Sequence, residues 1–469
     1  MHKEIKNICC IGAGYVGGPT MALIAQKCPE IKINVVDINK DKIAQWNSSN
    51  LDNLPIYEPG LKEIIKNCRD KNLYFSSTIE KNIAIADIIF ISVNTPTKES
   101  GIGAGQAIDL KWIESSAREI AKYATGHTIV VEKSTLPVNT AKTIKEILIS
   151  SNSDDQIIKS FSIISNPEFL SEGTAIDDLS NPDRVLIGGE DEEAIQTLIN
   201  IYSKWVDRRK ILTTDLWSSE LSKLIANAFL AQRISSINSI SALCEKTGAN
   251  INEVALAIGA DRRIGPFFLN AGPGFGGSCF KKDILNLIYI CNYLGLEEVS
   301  SYWQKVIDIN TWQSSRITQI IVDSLFGTLK DKKISILGFA FKANTNDTRE
   351  SRAIRICSDL IEEGAILQIF DPKVSEEQIA KELNSQFLDN RGMIPNKGKW
   401  VKSISIEDSF ENVDAVVILT EWDEFKALDW ELLSKKMRKP SWLFDTRSIS
   451  NIDDAKKNGL NVWEIGRGK

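Results

Sequence analysis

Residues 7–17, with the sequence NICCIGAGYVG, carry the pattern that decides the fold. An apolar run suited to a buried strand leads directly into Gly12, Gly14 and Gly17, and the residues that follow suit a helix. Glycines at this spacing permit a tight turn and let a diphosphate approach the N-terminus of the helix. Asp37 ends the next apolar run about twenty residues later, where a carboxylate bonds ribose hydroxyls and repels a 2'-phosphate. The segment therefore predicts a Rossmann-type site for NAD rather than NADP.

Strands and helices alternate along most of the chain. Short β-rich runs (INVVDI, DIIFISVN, TIVVEKST, FSIISNPEF and RVLIGG) precede residue 215, which predicts a parallel sheet with crossover helices. Residues 215–247 contain no Gly or Pro and repeat apolar residues at helical spacing, so we expect one long helix there. After Lys330 the alternation begins again with KISILGF and AILQIFDP. The sequence predicts an α/β protein with two Rossmann-like, doubly wound parallel-sheet domains joined by a long central helix.

We divide the chain into three parts on this basis. Residues 1–214 are expected to form an N-terminal NAD-binding Rossmann domain, residues 215–328 a central helical domain, and residues 329–469 a C-terminal Rossmann-like domain. The long helix carries more apolar surface between Leu221 and Ile240 than one domain covers. The central domain is therefore expected to mediate dimerisation.

The composition excludes several classes of function. A net charge of -6 argues against partners such as nucleic acid or an acidic membrane surface. The eight cysteines include no C-x-x-C pair, which predicts reduced thiols in a cytoplasmic protein rather than a disulfide framework or a zinc site. No apolar run approaches the length of a membrane span, and we expect no targeting or anchoring segment. With only two histidines and no expected metal, a general base must be a carboxylate, a lysine or a water.

Cys279 is the candidate nucleophile. It lies in GFGGSCFKKD, residues 274–283, where a glycine-rich loop leads into a helix. A thiol at the start of a helix and beside lysines is expected to be reactive, and Asp283 shares its face one helical turn later. The alternative is a buried and inert cysteine, which is what we expect for the other seven.

Two further groups of polar residues are candidates for the site. Lys223 and Asn227 are spaced i, i+4 on the long helix, so they can together hold a hydroxyl, an alkoxide or a carbonyl oxygen. In the segment NPEFLSEG, residues 166–173, Glu168 and Glu172 follow a strand, and such loops face the cofactor crevice of α/β proteins. A solvated helix face and ordinary loop charges are the respective alternatives.

Other motifs extend the pattern over nearly the whole chain. They are LPIYEPGL (residues 54–61), FISVNTPT (90–97), EKST (132–135), NPDRVLIGG (181–189), ILGFAFK (336–342), DTRES (347–351) and FDTRS (444–448). With the motifs above, the sequence resembles the UDP-glucose 6-dehydrogenase family, and particularly its animal-type members. The resemblance implies an NAD-dependent, four-electron oxidation of UDP-glucose to UDP-glucuronate in two steps, through a thiohemiacetal and a thioester on Cys279. The C-terminal domain would bind the UDP-sugar.

The resemblance also implies a role for each matching position. NAD would contact Gly12, Ala13, Gly14, Tyr15, Val16, Gly17, Asp37, Lys42, Val93, Asn94, Thr95, Pro96, Thr97, Ser134, Thr135, Glu172, Lys282 and Arg349. UDP-glucose would contact Glu168, Phe169, Leu170, Ser171, Glu172, Lys223, Asn227, Arg263, Phe268, Asn270, Gly274, Phe275, Gly276, Phe341, Lys342 and Arg447. The catalytic residues would be Cys279, Lys223, Glu168, Asn227, Asp283 and Thr135. The position of Arg263 reaches a neighbouring subunit's site in the family, which implies a homo-oligomer, at least a dimer and by preference a hexamer built as a trimer of dimers.

The sequence departs from the family pattern in places and leaves alternatives open. The stretch 47–54 is longer than usual, Asn270 replaces a lysine, and residues 384–402 do not align. A GDP-mannose or UDP-N-acetylmannosamine dehydrogenase would use the same chemistry. A β-hydroxyacid dehydrogenase lacks the second α/β domain and the cysteine. A non-catalytic NAD-binding protein would be expected to have lost Cys279, Lys223 or Glu168.

Overall fold

A computed structural model describes residues 4–134, 140–150, 159–384, 388–389, 392–393 and 399–468. Its contacts divide the chain into two compact units, residues 1–226 and 227–469. Each unit contains one extended β-sheet with its own hydrophobic core. The predicted fold class, with two mainly parallel sheets and a long central helix, is confirmed.

The first unit is built on an eight-stranded sheet with the order β3-β2-β1-β4-β5-β6-β7-β8. Its strands are β1 Asn7–Ile11, β2 Lys32–Val36, β3 Leu73–Ser76, β4 Ile88–Ile91, β5 His127–Glu132, β6 Ser160–Ser165, β7 Val185–Gly189 and β8 Ile211–Thr214. Its helices are α1 Gly17–Lys27, α2 Lys40–Trp46, α3 Leu61–Cys68, α4 Ile79–Ala84, α5 Lys111–Tyr123, α6 Thr140–Ser150, α7 Ala175–Ser180 and α8 Glu192–Tyr202. The chain order reverses at β1, which adjoins both β2 and β4, and ligands bind at such switch points.

Both faces of this sheet are buried. Alternate residues of β1 point into different clusters: Ile8 and Cys10 pack with α1, α3 and α8, whereas Cys9 and Ile11 pack with α5 and α6. Apolar residues therefore occupy consecutive positions of the strand, as expected for a parallel strand covered on both sides.

One strand departs from the predicted parallel arrangement. β7 runs antiparallel to β6, with Ile164 opposite Gly189, and β8 then runs parallel to β7. For β7 to run parallel to β6, the connection between them would have to cross back along the length of β6, usually as a helix. The connection here contains only the six-residue α7, which is shorter than β6, and the chain re-enters the sheet in the opposite direction.

Long helices follow the first sheet. α9 extends over Leu216–Thr247, close to the bounds predicted from its sequence, and the boundary between the two units falls within it. α10 Ile251–Gly259, α11 Phe280–Tyr293 and the 28-residue α12 Glu297–Ser324 follow. Among the residues that the structure describes, no helix is both long enough and apolar enough to cross a membrane.

The second unit contains a six-stranded sheet with the order β13-β10-β9-β14-β15-β16, in which all paired strands are parallel. The strands are β9 Lys333–Leu337, β10 Ile366–Phe370, β13 Lys399–Lys402, β14 Ala415–Ile418, β15 Ser441–Asp445 and β16 Leu460–Glu464, and a separate hairpin pairs β11 Leu388–Asp389 with β12 Gly392–Met393. The helices are α13 Arg352–Glu362, α14 Glu376–Asn384, α15 Ile406–Ser409, α16 Trp430–Lys436 and α17 Ile452–Lys457.

The two sheets share the arrangement of an aspartate after their second strands. Asp37 follows β2 and accepts a hydrogen bond from the Ala13 amide, while Asp371 follows β10 and accepts from the amides of Phe339 and Ala340. Asp371 is almost completely buried and also accepts from the Lys373 amide. Its carboxylate is therefore occupied by its own backbone, so it acts as a structural residue.

Candidate active site

The glycine-rich turn of the first unit has the geometry that a bound diphosphate requires. Gly12 has a φ of +108°, and a Cβ there would overlap the carbonyl group of Ser92. A Cβ on Gly17 would overlap the Gly12 carbonyl oxygen. Gly14, in contrast, has open space around the position of a Cβ. The turn therefore packs tightly against the protein at Gly12 and Gly17 and leaves open space at Gly14, next to the N-terminus of α1. This geometry fits the phosphate-binding role predicted for residues 12–17.

Asp37 lies beside this turn as an ionised group. Its Oδ2 accepts from the Ala13 amide at 3.0 Å and pairs with Lys42 Nζ at 3.0 Å, and its Oδ1 accepts from the Asn39 amide at 2.9 Å. Burial raises the pKa of Asp37, but the hydrogen bonds from Asn39, Ala13 and Lys42 outweigh burial and hold the pKa below its ordinary value. Lys42, predicted only as a cofactor contact, therefore also secures the charge of Asp37.

The loop after β4, which contains Val93, Asn94, Thr95, Pro96 and Thr97, is held at several points. The Ser134 hydroxyl donates to the Val93 carbonyl at 2.8 Å, the Asp109 amide donates to the Pro96 carbonyl at 2.7 Å, and Thr97 forms a bridge with Ile108. Two predicted cofactor contacts, Ser134 and Val93, are thus in direct contact. Thr135 lies outside the described residues.

Glu168 lies in the loop after β6 and is held from two sides. Its Oε1 accepts from the amides of Phe169 at 2.8 Å and Leu170 at 3.1 Å, and its Oε2 pairs with Lys133 Nζ at 2.9 Å. Burial raises the pKa of Glu168, but Lys133, the Phe169 amide and Lys223 together outweigh burial, so the pKa lies below the ordinary value. Glu168 is therefore an oriented carboxylate rather than an ordinary loop charge.

The rest of this loop is fixed by Glu58, from the motif LPIYEPGL. The buried Glu58 carboxylate accepts from the Gly173 amide at 2.6 Å and from the Ala175 amide at 3.2 Å, at the start of α7. Ser171, on the surface of the same loop, donates from its amide to Asp178 at 2.8 Å. Sequence analysis gave Glu58 no role, because its partners lie more than a hundred residues further along the chain.

Lys223 and Asn227 on α9 are both buried, which excludes the solvated helix face as their explanation. Lys223 Nζ lies 5.3 Å from the centroid of the Phe169 ring, so the first unit brings together two residues predicted to contact the sugar. In the second unit, the side-chain amide of Asn227 donates from Nδ2 to Asp283 Oδ2 at 2.6 Å. Asp283 is completely buried, and this hydrogen bond links α9 to the helix that follows Cys279.

Cys279 differs from the other cysteines as predicted. It is the exposed one of the eight, and it immediately precedes Phe280, the first residue of α11. Burial raises the pKa of the other seven thiols, for example to about 12 for Cys9 and about 11 for Cys28, so those groups stay protonated and inert. The Ser278 hydroxyl lies 3.5 Å from the Cys279 sulfur.

Buried polar side chains of α12 fix the loop before Cys279. Asn310 bonds both backbone groups of Phe275, accepting from the amide at 2.7 Å and donating to the carbonyl at 3.1 Å. Gln313 donates to the Gly272 carbonyl at 3.0 Å, and Ser314 donates to the Pro273 carbonyl at 2.9 Å. The loop backbone is therefore fixed by a helix in which sequence analysis had placed no functional residue.

The same loop packs against segments of the second sheet that were predicted to bind the nucleotide sugar. A Cβ on Gly276 would lie 3.0 Å from the Phe341 Cβ, and the Gly277 amide donates to the Arg349 carbonyl at 2.9 Å. Arg447 is largely buried and donates to the Leu419 carbonyl at 2.8 Å and to the Phe341 carbonyl at 3.5 Å. Gly274, Phe275, Gly276, Phe341 and Arg447 therefore lie in one region of the second unit.

Several predicted cations are already engaged in the second unit. Arg349 forms a two-point contact with Asp347, with N–O distances of 2.7 and 2.9 Å. Lys342 Nζ lies 5.6 Å from the centroid of the Phe341 ring. Lys282 is half-buried in the first turn of α11.

Arg263, Phe268 and Asn270 precede the loop before Cys279 in the chain. The Phe268 ring packs edge-on against Phe280, with ring centroids 6.4 Å apart, and Phe280 packs against Phe275 at 5.9 Å. Arg263 is 84% exposed and pairs with Asp261 at 2.6 Å. Phe268 is exposed with a φ of +61°, and Asn270 borders a groove of about 430 Å³ formed with residues of α10. Among the described contacts, the Arg263 side chain pairs with Asp261, while Phe268 reaches the loop before Cys279 through Phe280.

Comparison with known proteins identifies the family. The chain matches three parts of the UDP-glucose/GDP-mannose dehydrogenase family: the NAD binding domain over residues 6–206, the central domain over 217–312 and the UDP binding domain over 335–452. It is 56% identical to UDP-glucose 6-dehydrogenase of Gallus gallus, over 99% of this chain and 94% of that protein. It is 55% identical to UDP-glucose 6-dehydrogenase 1 of Glycine max, over 98% and 97%.

Solved structures agree with this result. A UDP-glucose dehydrogenase from the archaeon Pyrobaculum islandicum aligns with a TM-score of 0.84 at 28% identity, over 99% of this chain and 98% of that chain. A UDP-D-ManNAc dehydrogenase from Pyrococcus horikoshii, at 23% identity and a TM-score of 0.79 over 98% and 99%, shares the fold. These matches confirm the resemblance that the motifs suggested. The chain therefore belongs to the UDP-glucose 6-dehydrogenase family.

Proposed function

We propose that the protein oxidises UDP-glucose to UDP-glucuronate in two NAD-dependent steps, with Cys279 as the covalent nucleophile. The observation that carries the proposal is 56% identity to a UDP-glucose 6-dehydrogenase over nearly the whole chain, together with the exposure of Cys279 alone among eight cysteines. An exposed thiol at the start of a helix is accessible to a substrate carbon. The seven buried thiols offer no comparable nucleophile.

The first unit would hold NAD, and the match to an NAD binding domain over residues 6–206 supports this assignment. The open position at Gly14 and the N-terminus of α1 fit the diphosphate, and Asp37 fits the adenosine ribose. NAD, when bound, would accept one hydride in each oxidation. The fixed charge of Asp37 would disfavour the 2'-phosphate of NADP.

The first oxidation requires a proton to leave the 6-hydroxyl oxygen of the sugar while a hydride leaves C6. We assign this deprotonation to a water or base held by Lys223, Asp283 and Thr135. Asp283 suits the role because it is completely buried and oriented by Asn227 at 2.6 Å. A buried carboxylate beside the reacting carbon would also exclude bulk water while the aldehyde is present.

The second oxidation would take place on the enzyme-bound sugar. The Cys279 sulfur would add to the aldehyde carbon and form a thiohemiacetal. This adduct would become a thioester by losing a hydride from its carbon to bound NAD and the proton of its hydroxyl group to a water or base in the site. Water then attacks the thioester, and the Cys279 thiolate leaves. Lys223 and Asn227 would stabilise the oxyanion formed in the addition and in hydrolysis, and Glu168 would accept the proton of the attacking water.

The second unit would bind the nucleotide, in line with its match to a UDP binding domain over residues 335–452. Arg447 and Lys342 would supply positive charge for a diphosphate in a protein of net charge -6. Arg447 also pairs with Glu421 at 3.2 Å. Arg447 is rigidly oriented by the Leu419 and Phe341 carbonyls, which suits a directional contact. The remaining substrate residues keep the roles implied by family resemblance.

We further propose a cytoplasmic homo-oligomer in which Arg263 completes a neighbouring subunit's site. The apolar surface of the central helices supports association: Phe229 and Leu243 of α9 are each 57% exposed, and Leu256 of α10 is 76% exposed. Patches of this kind mark interfaces between proteins. A dimer is the minimum, and a trimer of dimers is the preferred assembly.

One assay tests the proposed substrate. NADH formation is measured with UDP-glucose, GDP-mannose and UDP-N-acetylmannosamine at equal concentrations. We expect efficient turnover with UDP-glucose and a kcat/KM at least about a hundredfold lower with the other two, because misfit of a base or sugar costs roughly 3 kcal/mol or more. Preference for GDP-mannose or UDP-N-acetylmannosamine would overturn the substrate assignment. Absence of NADH formation with all three sugars would overturn the activity.

A further inference from the structure

Lys133, the second residue of the motif EKST, is a buried cation that the mechanism above does not use. It follows β5, and its side chain is 3% exposed. A lysine ammonium removed from water is costly unless all of its donors are satisfied. Three acceptors surround Nζ: Glu168 Oε2 at 2.9 Å, Asn166 Oδ1 at 3.0 Å and the Tyr202 hydroxyl at 3.2 Å. Each N–H of the ammonium therefore has a partner.

The two neutral acceptors are themselves fixed. Asn166 is completely buried, and its amide nitrogen donates to the Leu186 carbonyl at 2.7 Å. The Tyr202 hydroxyl donates to Asn166 Oδ1 at 2.6 Å, and Tyr202 lies on α8 with only 3% exposure. Two neutral, buried side chains, Asn166 and Tyr202, thus fix the position of the Lys133 ammonium. Within the described part of the chain, its charged contact is the carboxylate of Glu168.

Glu168 meets the ammonium with a complementary arrangement. Its Oε1 is occupied by the two amides of its own loop, so Oε2 faces Lys133, with the Thr20 hydroxyl 3.5 Å away. Among the described residues, the charged and titratable groups that act on this pair include Tyr202 on α8, Lys223 on α9 and Cys10 on β1. Burial raises the pKa of the Cys10 thiol well above its ordinary value, so this thiol stays neutral at the pH values tested. Burial raises the pKa of Glu168, and Lys133 makes the largest contribution that lowers it.

We propose that Lys133 is the positioning residue of Glu168, which it holds as an ionised carboxylate in one orientation for the attack of water on the thioester. This inference rests on the function proposed above, in which Glu168 activates that water. Lys133 itself does not need to touch substrate. A purely structural ion pair would stabilise the fold and leave the protonation of Glu168 without effect on hydrolysis.

Three variants separate charge, position and burial. Lys133→Met removes the ammonium and keeps a long apolar side chain. Lys133→Arg keeps the charge but changes the donor geometry. Lys159→Met is the matched control, because Lys159 is also a buried lysine of the first unit, yet its ammonium donates to the carbonyls of Ala121 at 2.9 Å and Lys122 at 3.1 Å.

The direct readout is the covalent enzyme population, measured by intact mass after quenching turnover of UDP-glucose and NAD between pH 5.5 and 9. Without Lys133, the pKa of Glu168 is expected to rise, because burial then acts without the ammonium that lowers the pKa most. Lys133→Met should therefore accumulate acyl-enzyme at low pH and clear it as pH rises. Lys133→Arg should hydrolyse more slowly without moving the pH midpoint. Lys159→Met should keep the wild-type profile.

A second measurement does not depend on turnover. Thermal unfolding is followed from pH 5 to pH 8 in the wild type, in Lys133→Met and in Lys133→Met combined with Glu168→Gln. In the wild type the depressed pKa of Glu168 contributes stability that is fully present above the unfolded value of about 4.3 and is lost only as pH falls below it. Glu168 should therefore add no dependence on pH to the wild-type Tm between pH 5 and pH 8. In Lys133→Met the raised pKa reverses the sign, so its deficit in Tm should grow as pH rises. Glu168→Gln in that background should remove this dependence on pH.

The two measurements separate the possible failures. If the Tm deficit of Lys133→Met does not grow as pH rises, the pairing of Lys133 with Glu168 is wrong, whatever the substrate. If that dependence is found but the pH midpoint of acyl-enzyme clearance in Lys133→Met equals that of Lys159→Met, the pair is structural and the positioning role is wrong. If wild-type protein forms no NADH from UDP-glucose, the proposed function fails even where the unfolding data support the pair. If Lys133→Met does not fold, a pH midpoint shifted upward in Lys133→Arg would also overturn the proposal.

Discussion

Cys279 offers the thiol of an exposed side chain at the N-terminus of α11, whereas the pKa of each of the other seven thiols is raised by burial. The difference in environment, rather than the residue type, makes it the candidate nucleophile. Asn310, Gln313 and Ser314 hold the backbone of the loop that precedes Cys279. The roles of individual side chains can therefore be tested by small substitutions.

Replacing the sulfur with oxygen should trap the intermediate. We expect Cys279→Ser to fold and to accumulate an ester on residue 279, because an alkoxide is a poorer leaving group than a thiolate. Intact mass after incubation with UDP-glucose and NAD would detect the acyl adduct. The Cys291→Ser variant is the control, since Cys291 is buried on the same helix. An adduct found on a residue other than 279 would contradict the assignment.

Asp37 should determine the choice between NAD and NADP. Asp37→Ser removes the ribose acceptor and the charge that Lys42 pairs with, so kcat/KM for NAD should fall roughly tenfold to a hundredfold, in line with about 1–3 kcal/mol for a lost charged hydrogen bond. The preference for NAD over NADP should decrease at the same time. Asp41→Ser, which removes an exposed carboxylate from the same segment, should change neither. A wild-type protein equally efficient with both cofactors would show that Asp37 does not discriminate.

At the scale of secondary-structure elements, patterns local in sequence were predicted well and long-range partners were not. The strand-turn-helix unit at Gly12 and the long helix α9 follow from spacing, and both are present. The antiparallel direction of β7 and the polar face of α12 depend on distant parts of the chain. Lys133 stood within a motif, but only the fold brings it to Glu168, Asn166 and Tyr202.

α12 should support catalysis through the loop that it holds. Asn310→Leu leaves the buried amide and carbonyl of Phe275 without their side-chain partner, which should cost about 1–3 kcal/mol for each group and lower kcat as the loop loses its fixed geometry. Urea unfolding measures the loss of stability, and the rate of NADH formation measures the change in kcat. Thr311→Ala is the control on the next residue, where an exposed hydroxyl donates to the Ile307 carbonyl of its own helix at 3.1 Å. Unchanged stability in Asn310→Leu would show that the loop does not depend on α12.

At the scale of the whole molecule, family membership rests on the match along almost the entire chain, and assembly is the main prediction that follows. Arg263 is 84% exposed and pairs only with Asp261 among the contacts described for it, and α9 and α10 present exposed Phe229, Leu243 and Leu256. Residues separated in one chain can still meet across a symmetric interface. The sequence could indicate this surface, while the number of subunits needs a measurement in solution.

Complementation between inactive variants tests the shared site. Arg263→Ala and Cys279→Ala should each lose sustained activity, but coexpression should restore about a quarter of the wild-type sites, because half of randomly formed pairs are mixed and each mixed pair contains one intact site. Light scattering would give the mass of the assembly. A fully active monomer, or no recovery despite the formation of mixed oligomers, would contradict a site completed by Arg263.

The central claim is that one thiol links two oxidations, and the amount of NADH formed per UDP-glucose in the wild type and in Cys279→Ala tests it most directly. We expect two NADH per sugar and UDP-glucuronate as product in the wild type. Cys279→Ala should still bind NAD and UDP-glucose but should form no UDP-glucuronate in sustained turnover, because no thioester can form. If Cys279→Ala produced UDP-glucuronate at nearly the wild-type rate with two NADH per sugar, the covalent mechanism would be wrong.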